Sequence, residues 1–236
     1  MRIKNLELGS IPRVVGIIDS FISQTRLRAL QDSGIDIFEV RVDLLNKPID
    51  KIINYIKEIS SPLIGTIRET DFNRGNRAEL FRAAAPYVDC VDIELGTPRW
   101  REITDAAESG GSVIMVSEHD FERTPGIEGL NDIVKRSLDQ GAQIVKIAVM
   151  AKDVSDVTRL LRFTENCETP LVTIAMGDIG TVSRVIAPLF GSLFTYGYLK
   201  KPLAPGQLPA LRLVRELNNY FPKRRAETFL SRDGLK

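Results

Sequence analysis

Eight short, β-branched apolar runs recur along this 236-residue chain, each followed by a polar loop and a segment of helical apolar spacing. The runs fall at 14–19, 37–44, 62–68, 90–95, 112–118, 142–149, 170–176 and 192–199. Between them, Ile49, Ile52, Ile53, Ile56 and Ile59 mark one helical stripe after Pro48. Leu130, Ile133, Val134 and Leu138 mark a second, and Val154, Val157, Leu160 and Leu161 a third. Ser23 is placed to cap the first helix and Gly34 to stop it. Strand–helix alternation throughout implies a parallel sheet covered by helices. Eight units of similar spacing favour closure into a single-domain (β/α)8 TIM barrel over an open doubly wound sheet. No Gly-x-Gly-x-x-Gly follows the first run, which counts against the open alternative. The barrel is expected over 1–221, with the charged stretch 222–236 a tail or a short extra helix.

The chain's totals narrow what such a barrel could serve. A net charge of +1, from 32 basic and 31 acidic residues, gives no bulk field for nucleic acid or a membrane surface. Cys90 lies in a strand-like run and Cys167 at a helix end, so they form neither a disulfide framework nor a metal-ligand spacing. The N-terminus carries no apolar signal core, and no apolar run approaches the length of a membrane span. The expectation is a soluble, cytoplasmic protein. A homodimer is also expected, though no residue pattern specifies it.

Side-chain parity carries the functional reading, because residues two apart on a strand share a face. Glu39, Arg41 and Asp43 share one in the second run, Thr66 and Arg68 in the third, and Asp92 and Glu94 in the fourth. Ser117 and His119 follow in the fifth, with His119 read as lying just past the strand's C-terminal end. Lys146 shares its face with Ile144 and Ala148, while Val145, Ile147 and Val149 form an aliphatic opposite face. A barrel seals its outer strand face under helices, so these polar groups must converge inside, near the strands' C-terminal ends. A lysine there must shed or pair its charge, and a neutral amine in an apolar setting attacks carbonyls. Lysine with a single histidine, and no paired histidine spacing, suggests Schiff-base formation coupled to proton transfer and gives no support for a metal. Arg41, Arg68 and Arg184 suit capture of a carboxylate or phosphate, and Gln207 offers an amide for a hydroxyl.

Over about residues 11–215, these features resemble the type I 3-dehydroquinate dehydratase family. The motifs that carry the resemblance are Glu39-Val-Arg41-Val-Asp43, the run ending at Arg68, and Val-Ser-Glu-His119-Asp-Phe with Thr124-Pro125 after it. Val145-Lys146-Ile-Ala-Val-Met, Ser183-Arg184, Thr195-Tyr-Gly and Ala204-Pro-Gly-Gln207 complete the set. The resemblance implies a shikimate-pathway lyase, serving chorismate and aromatic amino acid biosynthesis, that acts on the small molecule 3-dehydroquinate without a cofactor. It implies that Lys146 forms the imine and His119 moves the protons. Glu39, Arg41, Arg68, Arg184 and Gln207 would then hold the carboxylate and hydroxyls, with Asn73, Glu94 and Ser117 as supporting candidates. Two departures stand out. Members often carry an acidic residue or glutamine after the arginine as a partner for the histidine; here Asn73 is the nearest match, with Glu69 and Asp71 as rivals. Before Ala-Pro-Gly-Gln a polar residue is usual, where this chain has Leu203.

Two other readings compete. A class I aldolase also uses a strand-borne lysine, and Gly177-Asp-Ile-Gly180 is a weak candidate for its phosphate loop. A non-catalytic barrel binding a carboxylated metabolite is the other. The segments 121–129 and that before Gln207 carry Gly and Pro beside the expected site and are candidate lids.

Overall fold

In the computed structural model, which describes residues 1–233, eight parallel strands curl into a barrel with helices around it. They are β3 (Arg13–Ile18), β4 (Ile37–Arg41), β5 (Leu63–Thr66), β6 (Cys90–Glu94), β7 (Val113–Asp120), β8 (Ile144–Met150), β9 (Leu171–Met176) and β10 (Phe194–Tyr198). The order β10-β3-β4-β5-β6-β7-β8-β9 is the chain order rotated by one, as a barrel requires. At the seam Leu193 N donates to Leu171 O (2.9 Å) and Thr173 N to the Ser192 hydroxyl (3.1 Å), which draws β9 and β10 together.

Helices α1 (Gln24–Asp32), α2 (Ile49–Lys57), α3 (Arg77–Ala84), α4 (Trp100–Gly110), α5 (Ile127–Asp139) and α6 (Val154–Asn166) cover the outside. They are joined by the short α7 (Gly177–Gly180) and α8 (Ser183–Ile186), and by α9 (Ala210–Tyr220). Ser23 caps α1, its hydroxyl accepting from Arg26 N (3.3 Å). The helical stripes bury as read, apart from the half-buried Ile49 and Ile53 and from Leu138 and Val154, which face outward. Val145, Ile147 and Val149 pack under the helices in the outer core, so Lys146 points inward. Each such fully buried aliphatic side chain contributes about 1.5–3 kcal/mol. At Gly197 of β10 a Cβ would strike the backbone of Ala210, so its absence is what lets α9 begin directly against the strand.

Two strands went unseen in the sequence. β1 (Arg2–Ile3) and β2 (Leu6–Glu7) form an antiparallel hairpin, and Ile3 with the following Leu8 joins the inner core of Val15, Ile37, Ile64 and Met115. Two-residue strands carry too little alternation to be recognised. Charged segment 222–236 is a helix, α10 (Pro222–Asp233), over its described part; residues 234–236 lie outside the described residues. Its buried Arg224 donates to Pro12 O (2.6 Å), Gly34 O (2.6 Å) and Asp36 Oδ2 (2.8 Å). Glu227 accepts from Arg13 at 2.5 and 3.1 Å, so α10 is bolted to the starts of β3 and β4.

Candidate active site

Polarity changes with height inside the barrel. Toward the strands' N-terminal ends the inward side chains are Ile37, Ile64, Cys90, Met115, Ile144 and Phe194. One inward position later they become Glu39, Thr66, Asp92, Ser117, Lys146 and Tyr196, all buried. The strands' C-terminal mouth adds Arg41, Arg68, Glu94 and His119 around a cavity of about 290 Å³. Ile17, Ala148, Ile174, Met176, Leu203 and Ala204 form its apolar wall. That volume holds one small molecule and no polymer.

Lys146 sits on the floor of this cavity. Its Nζ donates to Asp92 Oδ2 (2.8 Å), stands 3.8 Å from Glu39 Oε1 and 4.1 Å above the centre of the Tyr196 ring. The apolar setting expected for this amine is therefore corrected: two carboxylates and a ring face surround it, which supplies the pairing a buried cation needs. Asp92 also accepts from Arg68 Nη2 (3.0 Å) and from the Ser117 hydroxyl (2.6 Å), which itself accepts from Arg68 Nη1 (2.9 Å). Burial pushes the Asp92 carboxyl up, but Arg68 and Lys146 outweigh it and hold the group far below the usual carboxylate range. The Thr66 hydroxyl fixes Glu39 by donating to it (2.8 Å).

His119 stands on β7 itself, which runs to Asp120. That corrects its expected place in a loop; the strand is longer because Glu118, His119 and Asp120 all pair with β8, opposite Ile147, Ala148 and Val149. Burial, then the charges of Arg68 and Lys146, holds its imidazole well below the ordinary histidine value, so it is neutral at neutral pH. Phe121 stacks beside it, ring centres 6.3 Å apart.

The three arginines are held differently. Strand β4 stops at Arg41, and Val42–Leu44 turn into a 3-10 helix, so Asp43 does not continue the strand face. That turn folds Asp43 back to accept from Arg41 Nε and Nη2 (3.0 and 2.6 Å). Arg184, on α8, donates to Gly206 O (2.8 Å) and Pro205 O (3.1 Å), and burial lowers its pKa to about 10. Gln207 Oε1 accepts from Leu203 N (2.7 Å), closing the same loop from inside. Gly206 takes φ +68°, and a Cβ there would meet Gly177 O.

The three partners considered for His119 are bonded to other groups. Asn73 accepts from Thr70 N and donates to Arg68 O (both 2.8 Å), stapling its own turn. Glu69 pairs with Arg74 (3.0 Å), as does the exposed Asp71 (3.3 Å). Glu94 does line the cavity, held by Arg77 Nη2 (2.6 Å). Sequence reading passed over Asp92 and Tyr196 as site members. Parity already put Asp92 beside Glu94, and Tyr196 lay inside a quoted motif; the buried Arg77 gave no such signal.

A family profile described as type I 3-dehydroquinase matches residues 20–223. A 3-dehydroquinate dehydratase of Methanocella arvoryzae is 40% identical over 213 residues, covering 87% of this chain and 95% of that one. Among solved structures, a type I 3-dehydroquinate dehydratase of Clostridium difficile, with covalently modified comenic acid, aligns with a TM-score of 0.79 at 26% identity. That alignment covers 93% of this chain and 96% of the other. The 3-dehydroquinate dehydratase of Aquifex aeolicus aligns at 0.78 and 28% identity, over 89% and 99%.

Proposed function

The chain belongs to the type I 3-dehydroquinase family, and from that membership we propose that it dehydrates 3-dehydroquinate to 3-dehydroshikimate through an imine on Lys146. The observation that carries the reading is the pairing of strands β7 and β8. It sets Lys146 opposite Ser117 and Ala148 opposite His119, so amine and imidazole open into one cavity with three arginines.

Lys146 must first lose its proton, and the neutral imidazole of His119 is the base at hand. The amine adds to the C3 carbonyl, and the carbinolamine hydroxyl takes back the proton from His119 and leaves as water, giving a cationic imine and a neutral imidazole. That imine acidifies C2, from which His119 takes a proton. The resulting enamine expels the C1 hydroxyl, which leaves as water with the proton held by His119. Water then hydrolyses the imine, so the balance is one water lost from the substrate. Arg41, Arg68 and Arg184 carry the charge that suits the substrate carboxylate, and Glu39 and Gln207 the groups that suit its hydroxyls. Leu203 leaves an apolar patch where family members often offer a polar contact.

Treating the enzyme with 3-dehydroquinate and borohydride, then weighing its peptides, tests the covalent step. The expected outcome is a reduced adduct on Lys146, equal in mass to the bound carbocyclic keto acid less one water plus two hydrogens. Turnover with no adduct would overturn the imine.

A further inference from the structure

We propose that Asp92 is the counter-ion of the Lys146 nitrogen, holding it in place as an ammonium and stabilising the positive charge it regains as an imine. This rests on the imine reading above. Asp92 is fully buried, and three donors converge on it: Lys146 and Arg68 share Oδ2, and Ser117 takes Oδ1. A carboxylate needed only to satisfy Arg68 would not share its oxygen with the reacting amine.

Charge counting gives the device its direction. Lys146 and Arg68 supply two positive charges at this floor, and Asp92 and Glu39 two negative ones. Deprotonating Lys146 leaves the group one charge short of balance, and forming the cationic imine at the same nitrogen restores it. The floor therefore favours the imine over the neutral carbinolamine before it, a preference built in before substrate arrives. The Tyr196 ring, 4.1 Å below the nitrogen, favours the same cation.

Several groups besides Asp92 bear on the nitrogen's charge. Glu39 and Arg41 approach from β4, Arg68 from beyond β5 and Cys90 from β6. His119 approaches from β7 and Tyr196 from β10, while the inward residues of β9, Val172 and Ile174, are apolar. Only Asp92 hydrogen-bonds the amine among the described residues.

Asp92→Asn keeps the side chain's shape and removes its charge. We expect kcat to fall about 100- to 1,000-fold with KM within about threefold, while the borohydride adduct on Lys146 still forms. The acid limb of adduct formation against pH moves to lower pH, because an ammonium without its counter-ion sheds its proton more readily. Wild-type kcat together with an unshifted acid limb would overturn the counter-ion alone. An absent adduct in the wild-type enzyme would overturn the imine reading beneath it. Should Asp92→Asn fold poorly, Ser117→Ala keeps the carboxylate and removes one donor. Its acid limb then moves to higher pH, since a less neutralised carboxylate holds the ammonium proton more tightly, and an unmoved limb overturns the proposal.

Discussion

At His119, a side chain's chemistry and its cost to stability come from the same surroundings. Burial and the nearby cations hold the native imidazole neutral, whereas the unfolded chain titrates near the ordinary value of 6.5. Above that value both states are unprotonated and nothing is lost. Below it the unfolded state takes a proton that the native state refuses, so stability falls as pH falls, by at most about 1.4 kcal/mol per pH unit. Because His119 is the only histidine, His119→Asn should flatten the melting temperature between pH 5 and 6.5, a window read by calorimetry. The same variant should lose about 100- to 10,000-fold in kcat while still trapping substrate on Lys146. A slope unchanged from wild type would mean the ring is protonated in the fold. Lys146→Met removes the proposed nucleophile but keeps the stem's packing, so the absorbance assay for the enone product should read background while circular dichroism stays native.

Among the elements, the loop 203–207 does more than cover the cavity. Its Pro205 and Gly206 carbonyls accept from Arg184, so the arginine points into the site only while the loop keeps its path. Gly206→Ala sets a Cβ against Gly177 O at a left-handed φ. It should raise KM about tenfold or more by releasing Arg184, with a smaller change in kcat and a small loss of stability; steady-state kinetics separates these. The motif Ala204-Pro-Gly-Gln207 was legible in the sequence, but its grip on Arg184, carried by backbone carbonyls, was not. Strand parity was legible for the same reason the barrel was: a sealed outer face forces charged residues inward, Glu118 near the open end of β7, on the outward face with Val116, being an exception. Parity turned Lys146, Glu39, Asp92 and Ser117 toward one interior volume, but it did not single out Asp92 as a neighbour of the amine. Parity failed where a strand's length depended on its neighbour. β7 ran on because β8 paired with it, and β4 stopped because Arg41 and Asp43 closed a turn. The Asn73 amide is taken up by its own turn, between Thr70 N and Arg68 O, a use that residue type and spacing alone do not reveal.

Across the whole molecule, the two ends of the barrel divide chemistry from stability. The N-terminal end is sealed by the β1–β2 hairpin and clamped by α10, whose Arg224 shares Asp36 with Arg13. Asp36 also accepts from Val14 N (2.7 Å), so this one carboxylate ties the last helix to the first barrel strand. Arg224→Met keeps an apolar stem of similar reach and deletes the guanidinium. It leaves the carbonyls of Pro12 and Gly34 without that donor in a buried place, at a cost of about 2–4 kcal/mol. For a chain of this length each kcal/mol lowers the melting temperature by about 2–4 °C, so a drop of roughly 4–16 °C is expected. None of these groups lines the cavity that holds Lys146 and His119, which opens at the opposite strand ends. kcat and KM at 25 °C should therefore stay within about twofold of wild type, because conservation of the floor geometry needs only a folded barrel. A variant that melted normally would show α10 to be an ornament of the fold; one that melted early and also lost kcat would show that the clamp reaches Lys146 through the strands.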